Sequence, residues 1–130
     1  HALLREVGLD GQADQEARTL PYGQQRVLEI ARALAVRPTL LLLDEPAAGL
    51  NAQEIGVIDA LIRRIRGWGI TLLLIEHHMN LVMGISDRVT VLDHGKVICC
   101  DAPAAVQRNE AVIGAYLGTP PRTERTHGGS

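Results

Sequence analysis

The stretch Leu40-Leu41-Leu42-Leu43-Asp44-Glu45-Pro46 constrains this chain more than any other. Four consecutive leucines leave no polar face, so their periodicity suits a buried strand and a buried helix alike. The flanks decide between them. Arg37-Pro38 ends whatever precedes the run. Glu45-Pro46 stops a helix from continuing, because the residue before a proline is pushed out of the α region. A short apolar run between two proline breaks reads as a strand buried on both faces, as in a parallel sheet. Two acids then stand at its C-terminal end, where open α/β sheets place their ligands. Adjacent buried carboxylates repel each other and are costly to desolvate, so a cation is expected nearby, with a divalent metal carrying a phosphate ligand as the best fit. Taken alone, the stretch is equally a core strand ending in two solvated acids, and its neighbours must separate the two readings.

At 130 residues the chain makes one domain at most, and 46% hydrophobic residues suffice for a core. One Trp, two Tyr and no Phe make that core aliphatic. A net charge of -2 gives no electrostatic footprint for nucleic acid. Cys99 and Cys100 are adjacent and point to opposite sides of a strand, which excludes a disulfide framework and a metal site and suits a reducing cytosol. No stretch is long enough to span a bilayer, and no signal peptide is recognised. The start at His1 without Met suggests a fragment.

From the N-terminus, Ala2–Val7 reads as the tail of a helix closed by Gly8, and 10–19 as a polar loop. Leu20-Pro21-Tyr22-Gly23-Gln24 then opens an amphipathic run with Val27, Ile30, Ala31 and Leu34 at helical spacing. A glycine at the mouth of a helix leaves backbone N–H groups free of side-chain cover, which with the helix dipole suits an anion site, while one glycine alone equally suits a plain helix start. After the acids, Ala47–Asn51 is a tight loop. Asn51 and Glu54 form a capping box for a helix with a buried stripe of Ile55, Ile58, Ile62 and Ile65. Arg63, Arg64 and Arg66 complement that helix's C-terminal dipole as solvated charges. Gly67 and Gly69 break it, and Ile70–Ile75 is a second apolar strand closing on Glu76, His77 and His78. Strand, helix, parallel strand makes a right-handed βαβ unit. It brings a histidine to the same sheet edge as Asp44 and Glu45. A short helix over Met79–Ile85, a hairpin around His94-Gly95, a helix opened by Pro103 and a last helix over Ala111–Leu117 follow. Residues 119–130 are polar and rich in Pro and Gly, and are expected to be disordered.

LPYGQQRVLEIARAL, LLLLDEPAAGLN and LLLIEHHM, in this order and spacing, resemble the C-terminal half of an ATP-binding cassette (ABC) transporter ATPase. YGQQR, DEPAAGLN, IEHHMNLVMGISDRV and AYLG further resemble the ATPase subunits of branched-chain amino acid importers. The resemblance implies an α/β fold, part of a P-loop NTPase, with a mainly parallel sheet, flanking helices and a C-terminal hairpin over residues 1–118. It implies ATP and Mg²⁺ as cofactors. Leu20, Pro21, Tyr22, Gly23 and Gln24 match the signature motif that clasps the γ-phosphate held by a second ATPase subunit. Asp44 matches the acid that holds Mg²⁺ through water, Glu45 the catalytic carboxylate and His77 the switch histidine. Ala48–Asn51 match the D-loop at the dimer interface, with Asn51 at its end. His78 matches no role and is taken as structural or solvated. The implied partners are a second ATPase subunit and transmembrane permease subunits, at the cytoplasmic face of the cell membrane, with no nucleic acid.

Two departures shape the expectation. No G-x-x-x-x-G-K-[ST] occurs, and the glutamine loop is not recognisable, so the chain alone is expected to be inactive as an ATPase. Pro21 stands where the signature usually carries a hydroxyl or small residue, removing an N–H and a side-chain donor from the clasp. The runner-up is a non-transport ABC ATPase of the chromosome-maintenance or repair kind, a class that needs long coiled-coil heptads flanking the motifs, and none is present. A third reading is a catalytically inactive binding or assembly module.

Overall fold

The computed structural model describes Arg5, Gly11 and residues 21–117. The helix expected over Ala2–Val7 and the loop over 10–19 otherwise lie outside the described residues, as do Leu20, Gly118 and the 119–130 tail. The chain divides after Leu81 into two compact units.

In the first unit, Pro21 (φ -52, ψ 150) leads extended backbone into helix α1, Tyr22–Leu34. Its missing N–H falls where a helix start leaves donors unpaired in any case, and its carbonyl accepts from Gln25 N at 3.0 Å. Val27, Ile30, Ala31 and Leu34 form the buried stripe. The helix ends before Arg37, whose φ of 52 turns the chain ahead of Pro38. Strand β1 is Leu40–Asp44 and strand β2 Thr71–Ile75, paired in parallel from Leu40–Thr71 to Asp44–Ile75. Helix α2, Ala52–Gly67, joins them. Its capping box is complete: Asn51 Oδ1 accepts from Glu54 N at 2.9 Å, and Glu54 Oε1 accepts from Asn51 N at 3.1 Å. Its buried stripe is Ile58, Leu61, Ile62 and Ile65, so Leu61 stands where Ile55 was expected. Ile55 sits in the first turn and is only half-buried. Burial of each such side chain contributes about 1.5–3 kcal/mol. The arginines at the helix end are exposed, Arg63 reaching Asp59 at 2.5 Å. Gly69 (φ 81) then takes the left-handed conformation common after a helix.

The expectation of strands buried on both faces fails. Leu41 and Leu43 are buried, whereas Leu40 and Leu42 lie 51% and 63% exposed. On β2, Leu72 and Leu74 are half-buried while Leu73 and Ile75 are exposed. Successive strand residues face opposite sides, and among the described residues only the side carrying Leu41 and Leu43 is covered. The continuous apolar run thus records a composition suited to two covered faces. Among the described residues the parallel pair β1–β2 and an antiparallel hairpin form two separate two-stranded sheets, in keeping with a partial α/β fold.

Helix α3, Met79–Ile85, crosses from the first unit into the second. In the second unit, β3 (Val89–Asp93) and β4 (Lys96–Asp101) form an antiparallel hairpin with a register break between Val91 and Leu92. Positive φ at His94 and Gly95, 48 and 77, suits a type I′ turn. Helix α4, Pro103–Arg108, has proline at its start as expected. The last helix is broken up. Glu110–Val112 (α5) is capped by the Asn109 side chain, and Ile113–Leu117 forms a π-helical turn. Val82, Val89, Val106 and Val112 make this unit's core. No described helix is long and apolar enough to cross a membrane.

Candidate functional site

Parallel pairing of β1 and β2 puts Asp44 beside Ile75, and the ladder runs one residue further, with Glu45 N donating to Ile75 O at 2.7 Å. Glu45 has left-handed backbone (φ 48), a conformation a non-glycine residue adopts at a cost of about 1–3 kcal/mol. The kink turns the chain out of the strand at the point where the acids were read. Across the edge, His77 Nδ1 lies 2.8 Å from Glu45 Oε1. The two residues brought together by strand order alone therefore touch. The acids are not buried as expected: Asp44 is exposed and the Glu45 side chain is 47% exposed.

Glu76 was not singled out from the sequence, yet it organises this edge. Its side chain is 1% exposed. Oε1 accepts from His77 N at 3.0 Å and His78 N at 3.3 Å, and Oε2 accepts from Ala47 N at 3.1 Å. The available signal was a carboxylate directly after an apolar strand and directly before two histidines. His78 is half-buried, and its Nδ1 accepts from Leu81 N at 3.4 Å, in keeping with a structural role.

The second group of site residues sits at the start of α1. Tyr22 is exposed, Gly23 buried and Gln24 half-buried. Gly23 is not free of side-chain cover, contrary to expectation. A Cβ placed on it would run into Oε2, Cδ and Cγ of Glu54. The capping box of α2 holds that carboxylate against the first turn of α1, so the glycine permits close approach of the two helix starts. Tyr22 and Arg26 fasten the same turn to the 47–51 loop. Arg26 donates to Tyr22 OH at 2.7 Å and to Ala48 O at 3.2 Å, and the Tyr22 ring packs beside Gly49, whose φ is 75. Tyr22 and Arg26 thus hold the start of α1 against the loop that Asn51 ends, and Gly23 lies against the helix that Asn51 caps.

Two tests of fit for a nucleotide follow from these residues. The Oε1 of Gln24 is buried without a hydrogen-bond partner, an unpaired acceptor in the first turn of α1. Among the described residues no cluster of three or more His, Cys, Asp or Glu side chains can hold a metal. A Mg²⁺ at Asp44 would need most of its oxygen ligands from phosphate and water, which is how this ion is usually held. Away from this edge, on the hairpin, Cys100 Sγ accepts from Thr90 Oγ1 at 3.2 Å and Arg88 Nε at 3.3 Å. The Thr90 hydrogen bond and then the Arg88 contact hold the exposed Cys100 thiol below its ordinary range, and the Cys100 hydrogen bond raises Arg88 in turn.

Residues 1–48 match the family described as ABC transporter, and residues 96–121 the family described as branched-chain amino acid ATP-binding cassette transporter. The chain is 50% identical over 116 residues to the high-affinity branched-chain amino acid transport ATP-binding protein BraF of Pseudomonas aeruginosa, covering 88% of this chain and 46% of BraF. It is 48% identical, with the same coverage, to LivG of Escherichia coli, which bears the same description. A crystal structure of an ATP-binding cassette of an ABC transporter in its ADP conformation superposes with a TM-score of 0.82 at 29% identity, covering 91% of this chain and 48% of that one. CbiO1 of Clostridium perfringens, part of the CbiONQ transporter complex, superposes with a TM-score of 0.76 at 31% identity, covering 87% and 45%. The chain spans about half the length of the curated relatives it matches.

Proposed function

We propose, for a chain that belongs to the ABC transporter ATPase family, that it supplies the hydrolytic edge and signature helix of an importer's ATP-binding subunit. The solute class is branched-chain amino acids, as the names of BraF and LivG and the match over 96–121 suggest. The observation that carries the reading is the meeting of Glu45 and His77, 2.8 Å apart, at the C-terminal edge of two parallel strands.

Phosphoryl transfer asks a protein mainly for positioning and charge neutralisation. Bound Mg²⁺ and ATP supply the transferable phosphoryl group and the charge that offsets its oxygens. Asp44 is the acid placed to hold the metal through water. Glu45 accepts a hydrogen bond from the attacking water and orients it. His77 anchors the Glu45 carboxylate through Nδ1, and its other ring nitrogen donates to a phosphate oxygen only in the doubly protonated imidazolium. Tyr22, Gly23 and Gln24, with the backbone turn at Pro21 and Leu20 before it, present the helix start to nucleotide held by a second ATPase subunit, with Asn51 ending the loop that shares that interface. Contact with transmembrane permease subunits would place the assembly at the inner face of the cell membrane.

The test joins this chain behind the half of LivG that it does not match. The 130-residue chain alone should hydrolyse ATP negligibly, and the joined domain should do so with Mg²⁺. Glu45→Gln should lower the joined domain's kcat by about a hundredfold or more, about 2.7 kcal/mol of barrier. Steady turnover by the chain alone, or a joined domain indifferent to Glu45→Gln, refutes the reading.

A further inference from the structure

The Glu76 carboxylate is almost fully buried and accepts three backbone hydrogen bonds, from two segments far apart in sequence. Two N–H groups, of His77 and His78, converge on Oε1, and one, of Ala47, on Oε2. Burying a carboxylate is costly unless its oxygens are paired, so simple stapling of a loop would be served more cheaply by a hydroxyl or amide. Those side chains do not fit. All three partners are donors, and only a carboxylate offers two acceptor oxygens without an N–H of its own.

The bonded loop continues the connection. Ala47 begins the 47–51 turn, whose Ala48 carbonyl accepts from Arg26 and whose Gly49 lies against the Tyr22 ring. On the other side, His77 carries the imidazole that meets Glu45. Glu76 therefore stands between the histidine at the hydrolytic edge and the first turn of α1, with hydrogen bonds to backbone in both directions.

We propose that Glu76 is a positioning residue for ATP hydrolysis, clamping the His77 segment and the 47–51 turn as one unit so that displacement at either is felt at the other. The kinetic part of this inference rests on the function proposed above. Its structural part rests on the hydrogen bonds alone.

Glu76→Gln is the isosteric probe. A glutamine keeps one acceptor oxygen, which can serve the paired His77 and His78 N–H groups, and turns an NH₂ toward the Ala47 N–H. Backbone amide exchange on the 130-residue chain should show Ala47 exchanging about tenfold faster in Glu76→Gln, the equivalent of losing one hydrogen bond. His77 should stay protected, as should the buried Ile62 and Ile65 of α2. Glu76→Ala should release Ala47 and His77 together. In the joined domain Glu76→Gln should lower kcat about tenfold and leave KM for ATP within about twofold, the pattern of an interaction made in the transition state. An Ala47 amide unprotected in the unaltered chain, or unchanged by Glu76→Gln, overturns the proposal. So does a rise at Ile62 and Ile65 equal to that at Ala47, which would make Glu76 a general support of the fold. Unchanged kcat in a joined domain that still responds to Glu45→Gln removes the kinetic role and leaves the proposed function standing.

Discussion

Gly23→Ala should change sign as a stability mutation according to what stands at position 54. In the unaltered chain the new methyl would meet the Glu54 carboxylate, and the atoms in its way are the outer part of a flexible side chain. Glu54 can swing aside, but its Oε1 then leaves Asn51 N, now at 3.1 Å, and half of the capping box is lost. One such hydrogen bond is worth about 0.5–1.5 kcal/mol. Against this, alanine exceeds glycine by about 1 kcal/mol in a helix interior. Position 23 lies in the first turn, so roughly half of that gain applies. The net effect is a destabilisation of about 0.5 kcal/mol. With Glu54→Ala already in place the obstacle and the hydrogen bond are both gone, and Gly23→Ala should stabilise by about 0.5 kcal/mol. The double-mutant cycle should therefore return a coupling of about 1 kcal/mol, within the range for residues in contact. Urea unfolding of the four proteins, each also carrying Leu42→Lys and Leu73→Lys to keep it dispersed, measures it by helical circular dichroism. Additivity within about 0.3 kcal/mol would show that the carboxylate does not rest on Gly23, and the account of that glycine would be wrong.

Pro21→Ser in the joined domain should add a donor at the start of α1 and strengthen ATP-dependent dimerisation by about 0.5–1.5 kcal/mol, read as the dimer fraction against ATP concentration; an unchanged dimer would leave the work to the backbone N–H groups. Cys100 should alkylate faster than the half-buried Cys99 and at a lower pH than an ordinary thiol, and Thr90→Val should remove much of the advantage. Because its folded pKa is depressed, ionised Cys100 contributes stability that is present above the unfolded thiol's range and is lost as pH falls through the lowered folded value, so Thr90→Val should flatten that part of a stability–pH curve. The isolated chain should self-associate through Leu40, Leu42, Leu73 and Ile75, each half-exposed leucine recovering roughly 1 kcal/mol when covered, and Leu42→Lys with Leu73→Lys should disperse it in sedimentation; a cooperative monomer without those changes would contradict this.

Local signals were legible wherever a few adjacent residues decide the backbone. The proline breaks around Leu40–Leu43, the Asn51–Glu54 box, the His94-Gly95 turn and Pro103 at a helix start all depend on chain chemistry within one turn or so. Strand order then followed from βαβ connection, so Asp44, Glu45 and His77 could be placed on one edge before any coordinates. Burial was less legible. A run of four leucines specifies surface that favours being covered, but which face is covered depends on neighbours elsewhere, and Leu40 and Leu42 stand open. The break of the last helix into α5 and a π-helical turn had no sequence signal.

Two features of the site were decided by tertiary structure alone. Gly23 reads from sequence as an uncovered backbone donor, and Glu54 as a cap for its own helix. Only the packing of α1 beside α2 puts the carboxylate of one against the other. Glu76 reads as a polar residue after a strand, yet it lies 29 positions from Ala47 and bonds it. The parallel pairing of β1 with β2 brings their C-terminal ends to one level, which lets a carboxylate following one strand receive the N–H of a turn following the other. Residue types supply the groups, whereas contacts between segments distant in sequence exist only once the strands are in register.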